Sequence, residues 1–89
     1  MKHHYLDVTY RGGRPIAAYL RLPRETGVKV ARTTDEGMGL RADFDESDTL
    51  IGIEITAPQL VTDTEVNAIL TRLGSRPLQP EDWSPLRAA

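Results

Sequence analysis

Two runs of alternating hydrophobicity, separated by a short acidic connection, constrain this chain more than any other feature. Met38, Leu40, Ala42 and Phe44 form one apolar set, and Ile51, Ile53 and Ile55 form the other. A period of two places each set on one face of an extended strand. Asp45-Glu46-Ser47-Asp48-Thr49 joins them. The unit from Met38 to Thr56 therefore predicts an antiparallel hairpin with one face against a core.

Three further strands precede it. His4 to Tyr10 alternates, with Leu6, Val8 and Tyr10 on one side. Arg11-Gly12-Gly13-Arg14-Pro15 breaks the run, because glycines supply positive φ and proline marks an entry point. In the next run Ile16, Ala18, Leu20 and Leu22 share one face, while Ala17, Tyr19 and Arg21 share the other. Pro23 to Gly27 is a turn. Val28 to Thr34 is rich in β-branched residues and predicts a strand. Asp35-Glu36-Gly37 predicts the turn that follows it.

One helix is signposted at residues 62–73. Thr62 and Glu65 have capping-box spacing, and Val61 and Val66 fall where a hydrophobic staple would. Val66, Ile69, Leu70 and Leu73 make the apolar stripe, and Gly74 stands at the natural stop. Residues 75–89 carry Pro77, Pro80 and Pro85 without an apolar period, which predicts an extended arm. The expected architecture is α+β: an antiparallel sheet of about five strands, one helix packed on one face, and an extended tail. Residues 1–74 form the single domain and residues 75–89 the arm.

Composition narrows the function classes. At 89 residues the chain fits one small domain. It has no cysteine, so disulfides and thiolate metal sites are excluded. The net charge of −2 offers no general attraction to phosphate or anionic lipid. No apolar run approaches a membrane span, and Met1-Lys2-His3-His4-Tyr5 lacks the apolar core of a signal peptide. The expected compartment is the cytoplasm.

Three stretches carry a family resemblance. They are Ala17-Ala18-Tyr19-Leu20-Arg21-Leu22, Leu40-Arg41-Ala42-Asp43-Phe44-Asp45 and Leu50-Ile51-Gly52-Ile53-Glu54-Ile55. Together they resemble the strands and acidic turn of the DUF2283 family of small bacterial proteins, over about residues 5–57. Tyr10-Arg11-Gly12-Gly13-Arg14-Pro15 replaces the family's acidic opening, and Asp48 stands at its turn glycine. The resemblance implies no established activity. It implies an antitoxin-like partner role, by analogy with the small two-gene settings such proteins occupy.

The acidic turn invites a cation. Asp43, Asp45, Ser47, Thr49 and Glu54 fall at the first, third, fifth, seventh and twelfth positions of an EF-hand-like loop. Strand flanks and Asp48 at the glycine position favour a solvated hairpin tip instead. His3 and His4 point to opposite faces and cannot chelate one ion together. With no histidine beyond position 4, a Ser–His nucleophile has no internal base. A polar tip does not raise a carboxyl pKa for acid catalysis. These patterns predict no enzyme, no metal and no cofactor.

Two surfaces remain for recognition. Tyr19, Arg21 and Arg41, with Lys29, fall on the sheet face away from the helix. Asp7, Asp43 and Glu54 share it, which argues against nucleic acid. Tyr5, Ala17, Tyr19 and Ala31 add a modest apolar patch there, and exposed patches and sheet edges predict a homodimer or small homo-oligomer. The second surface is the arm, where Trp83 would anchor a partner and Glu81 and Asp82 would complement a basic one. Trp83 folded onto its own sheet is the competing expectation. The leading expectation is a protein-interaction module, with antitoxin-like capture of a small basic partner as its most concrete form. A cation-binding hairpin over Asp43–Glu54 is the alternative, followed by a nucleic-acid-binding sheet.

Overall fold

A computed structural model of the chain describes residues 4–87. Five strands are present: β1 (Tyr5–Arg11), β2 (Arg14–Arg21), β3 (Arg32–Gly37), β4 (Leu40–Phe44) and β5 (Leu50–Ile55). They form one antiparallel sheet in the order β1-β2-β5-β4-β3. A 3-10 turn at Pro58–Leu60 leads to helix α1 (Asp63–Arg72). A second 3-10 turn (Pro80–Trp83) and a short helix α2 (Ser84–Arg87) close the described chain. The expected α+β architecture is therefore the observed one. Among the described residues no helix is long and apolar enough to cross a membrane.

The last strand in sequence is central in space. β5 lies between β2 and β4, and its side chains face neighbours on both sides. One face of the sheet carries Leu6, Leu20, Ile53 and Ala42 in register, followed by Val8, Ala18, Ile55 and Leu40. These residues pack with Val66, Ile69 and Leu70 of α1. Each large apolar side chain so buried contributes roughly 1.5–3 kcal/mol.

Helix α1 begins and ends as its sequence dictates. The Glu65 N–H donates to Thr62 Oγ1 at 3.1 Å, and the Thr62 N–H donates to Glu65 Oε1 at 2.8 Å. At the far end Gly74 takes φ +86°. The Ser75 N–H reaches Leu70 O at 2.8 Å and the Gly74 N–H reaches Thr71 O at 3.1 Å, a Schellman closure.

Four expectations shift in the strands. First, β3 starts at Arg32, not Val28, and continues through Asp35, Glu36 and Gly37, so the expected turn there is strand. The turn is Met38-Gly39, both at positive φ, the hand that matches strand twist. Second, Met38 consequently leaves the core and is 55% exposed. Third, Ile16 is exposed because β1 and β2 slip by one residue: Thr9 pairs with Ala17 and Tyr10 with Pro15, leaving Ile16 as the extra residue. Fourth, a similar bulge pairs Asp43 with Gly52 and Phe44 with Leu50. Leu50 then joins the main core, while Ile51 is buried outside that cluster, beside Pro23 to Thr26.

The expected extended arm is also corrected. Residues 80–87 are 3-10 and helical, and Leu78, Trp83 and Leu86 are buried in the main core. Asn67 of α1 holds the arm by both amide groups. Its Nδ2 donates to Leu78 O at 3.1 Å, and its Oδ1 accepts the Leu78 N–H at 2.9 Å. The Tyr10 hydroxyl donates to Pro85 O. The physical reason is area: a small sheet and one helix leave apolar surface that the tail covers.

Candidate interaction face

The second face of the sheet lies away from the helices. The connection from Leu22 to Ala31 borders it at one end, where Ile51 is buried beside Pro23 to Thr26 and the Arg24 charge acts on Tyr19, and strand register arranges the face in two rows. One row is Asp7, Tyr19, Glu54, Arg41 and Asp35, taken from β1 across to β3. The other is Tyr5, Arg21, Gly52, Asp43 and Thr33. Every strand contributes one residue to each row, because alternate residues point to the same side.

Gly52 organises the centre. The Tyr19 ring leans from β2 across β5, and a Cβ at position 52 would stand 2.0 Å from its hydroxyl oxygen. That gap lets the Tyr19 hydroxyl donate to Asp43 Oδ2 on β4 at 2.7 Å. Thr33 Oγ1 on β3 donates to Asp43 Oδ1 at 2.6 Å. Asp43 is the one buried acidic residue of the described chain, and both carboxylate oxygens have a donor. Burial first, and the adjacent Asp43 carboxylate second, push the Tyr19 phenol up to about 12. It stays protonated at neutral pH and remains a donor.

Arg21 stiffens the other half of the face. Its guanidinium carbon lies 5.2 Å from the Tyr19 ring centroid and 5.8 Å from that of Tyr5. Its Nη2 is 3.9 Å from Asp7 Oδ2, while Nε is buried without a hydrogen-bond partner. Each cation–π contact is worth about 0.5–1 kcal/mol at such a partly exposed site. Arg41 is exposed, flanked by Glu54 and Asp35, and its charge is available to an incoming group.

Tyr19, Arg21 and Arg41 are thus brought together as expected of one face. Trp83, Glu81 and Asp82 are not part of it. Trp83 is 1% exposed, so it cannot anchor a partner. Asp82 Oδ2 accepts the Gln79 N–H at 2.9 Å and caps its own turn, and Glu81 stands exposed beside it.

The EF-hand-like positions are separated. Asp43 is taken by Tyr19 and Thr33. Asp45 Oδ1 accepts the N–H groups of Ser47 at 2.8 Å and Thr49 at 3.0 Å, closing the hairpin tip on itself. Asp48, at φ +62°, accepts from Arg32, whose guanidinium also stacks on Phe44 at 4.1 Å. Glu54 sits in the other row. Among the described residues no three His, Cys, Asp or Glu side chains are grouped to hold a metal ion. His3 lies outside the described residues.

Thr33 and Gly52 escaped the sequence reading as site residues. Gly52 left a signal, since a glycine between isoleucines in a strand marks a close approach. Thr33 left none. No protein-family model matches the chain, and comparisons with the curated proteins and with solved structures find no match either.

Proposed function

We propose that the chain is a protein-interaction module, without catalytic activity, whose contact surface is the open sheet face. The observation that supports this most is the Tyr5–Arg21–Tyr19 stack, held in place by Asp43 on the sheet face that the helices leave free. Tyrosine and arginine are the residues in which binding energy concentrates at protein contacts. Here their rotamers are already fixed by neighbours, so little side-chain freedom is lost on binding. Four acidic residues, Asp7, Asp35, Asp43 and Glu54, against Arg21 and Arg41 favour a polypeptide over a polyanion on this face. An antitoxin-like role remains one form of this reading, with the face rather than Trp83 as the contact.

Photo-crosslinking in the native cell tests the reading. A crosslinking residue at Asp7 or Asp35, the two ends of one row, should capture a polypeptide. The same group at Leu60, exposed but outside the face, should not. Equal capture from all three positions, or none from the face, would reject it.

A further inference from the structure

The two edges of the sheet are built differently, and we infer that β1 pairs edge to edge with β1 of a second copy of this chain, antiparallel and centred on Val8. The β3 edge is blunted. Arg32, Asp35 and Glu36 are charged. Glu36 is the extra residue of a bulge in the edge strand itself, and the Gly37 N–H donates to Asp35 Oδ1 at 2.9 Å. Charges and bulges of this kind keep a further strand from adding. At the β1 edge the extra residue is Ile16, which belongs to the inner strand β2. Tyr5 to Arg11 therefore keeps an unbroken alternation, and Asp7 is the one charge in its interior. Among the described residues no hydrogen bond to a β1 backbone group comes from outside β2. The arm meets β1 through the Tyr10 side chain, on the side that carries Leu6 and Val8. The backbone groups that point away from β2 are left for a strand or for water.

The sequence of β1 selects a second copy as that strand. A two-fold axis normal to the sheet keeps the two faces matched only if a residue on the axis faces its own copy. Centring on Val8 pairs the whole strand: Tyr5 with Arg11, Leu6 with Tyr10, Asp7 with Thr9, and Val8 with itself. Apolar residues then oppose apolar ones on the helix side, and no like charges stand opposed on the other. The Tyr5–Arg11 pair repeats in trans the tyrosine–arginine contact that Arg21 already makes with Tyr5. Centring on Asp7 sets two carboxylates against each other. Centring on Thr9 runs Tyr5 and Leu6 into Gly13 and Gly12 of the turn, both at positive φ, and shortens the ladder.

A seam of seven residues is about 24 Å long. Such a contact falls at the small end of specific interfaces, so the dimer is micromolar or weaker. It runs along a strand edge and leaves the two rows of the candidate face to the proposed partner.

Sedimentation equilibrium of the full chain should show a reversible monomer–dimer transition. Thr9→Asp places a carboxylate opposite Asp7 on both sides of the axis and should weaken the dimer at least about tenfold. Thr9→Lys opposes Asp7 with the other sign and should tighten it. Ser47→Asp, the charge change of Thr9→Asp made at the exposed tip of the β4–β5 hairpin, should leave it within about twofold. The chain has no cysteine, so engineered thiols report the register alone. Residues opposed across an antiparallel pair lie within disulfide reach. A mixture of Asp7→Cys and Thr9→Cys chains should therefore link on oxidation, and neither variant should link to itself. A chain monomeric at millimolar concentration, a dimer indifferent to Thr9→Asp, or a disulfide formed as readily by one variant alone would each overturn the inference. Asp35 lies at the far edge of the sheet, so a crosslink from that position tests the proposed face separately from this seam.

Discussion

The Tyr19 hydroxyl reaches the Asp43 carboxylate, 2.7 Å away and two strands over, by lying across Gly52. The contact joins β2 to β4 over the strand between them. It couples a half-buried aromatic ring to a buried charge, and it depends on a missing side chain.

Gly52→Ala should therefore break more than a local fit. The new Cβ would meet the Tyr19 ring, with Cζ at 2.4 Å and Cε1 at 2.6 Å. Tyr19 must rotate away, leaving Asp43 with Thr33 as its remaining side-chain donor. Losing one bond to a buried charged acceptor costs about 1.5–3 kcal/mol. Tyr19→Phe removes the same donor without a clash and should cost a similar amount. Denaturant unfolding checks both. Gly52→Ala tolerated without loss would mean the ring has another place to go that keeps the bond.

The pH dependence of stability follows from the same pair. Tyr19 has an ordinary value of 10.0 when unfolded and about 12 in the fold. The folded chain holds the proton that the unfolded chain releases, so this contribution is complete below pH 10. It is lost as pH rises through about 12. Unfolding free energy should fall over that window in the native chain, and the slope should flatten in Tyr19→Phe. Equal slopes in both would place the alkaline transition on other groups.

An acid-side counterpart sits at the sheet's other edge. The Thr34 hydroxyl donates to Glu36 Oε2 at 2.6 Å, and Arg72 of α1 pairs with Glu36 Oε1. The Thr34 bond first, and Arg72 second, hold the Glu36 carboxyl below its ordinary 4.5. The stabilisation is present above that value and is lost as pH falls through the lowered one. Glu36→Gln should lower the melting temperature at neutral pH, and the gap should close under acid. Arg72 is largely exposed, so added salt should shrink its share while leaving that of Thr34.

How much of this was legible in the sequence depends on the range of the cause. Thr62, Glu65 and Gly74 act within a turn of themselves, and α1 lies where they put it. Alternation over Leu40–Phe44 and Ile53–Ile55 likewise placed the central strands. The misplacements came from register. Ile16 and Ile51 fit the period of two, but each is the extra residue of a bulge that only its partner strand defines. Met38 continued an apolar period, yet two flanking glycines outweighed it. The candidate face was half legible. Tyr19, Arg21 and Arg41 follow from alternation, whereas their alignment with Asp43 and Thr33 needs the strand order, with β5 returning to the middle.

The arm tests how tertiary area overrides local sequence. Three prolines without periodicity read as an extended tail, but Leu78, Trp83 and Leu86 lie in the main core. Removing residues 75–89 should consequently unfold the domain or expose its core, detectable as dye binding and loss of the cooperative melt. Trp83→Ala alone should cost about 3–5 kcal/mol, against a total of about 5–15 for a domain. Trp83→Phe separates volume from polarity. The Trp83 Nε1 is buried without a hydrogen-bond partner, so the phenyl ring removes an unsatisfied donor while giving up part of the packing. Its cost should be well below that of alanine. If Trp83→Phe were as damaging as Trp83→Ala, the indole N–H must have a partner, and a buried water is the first to look for.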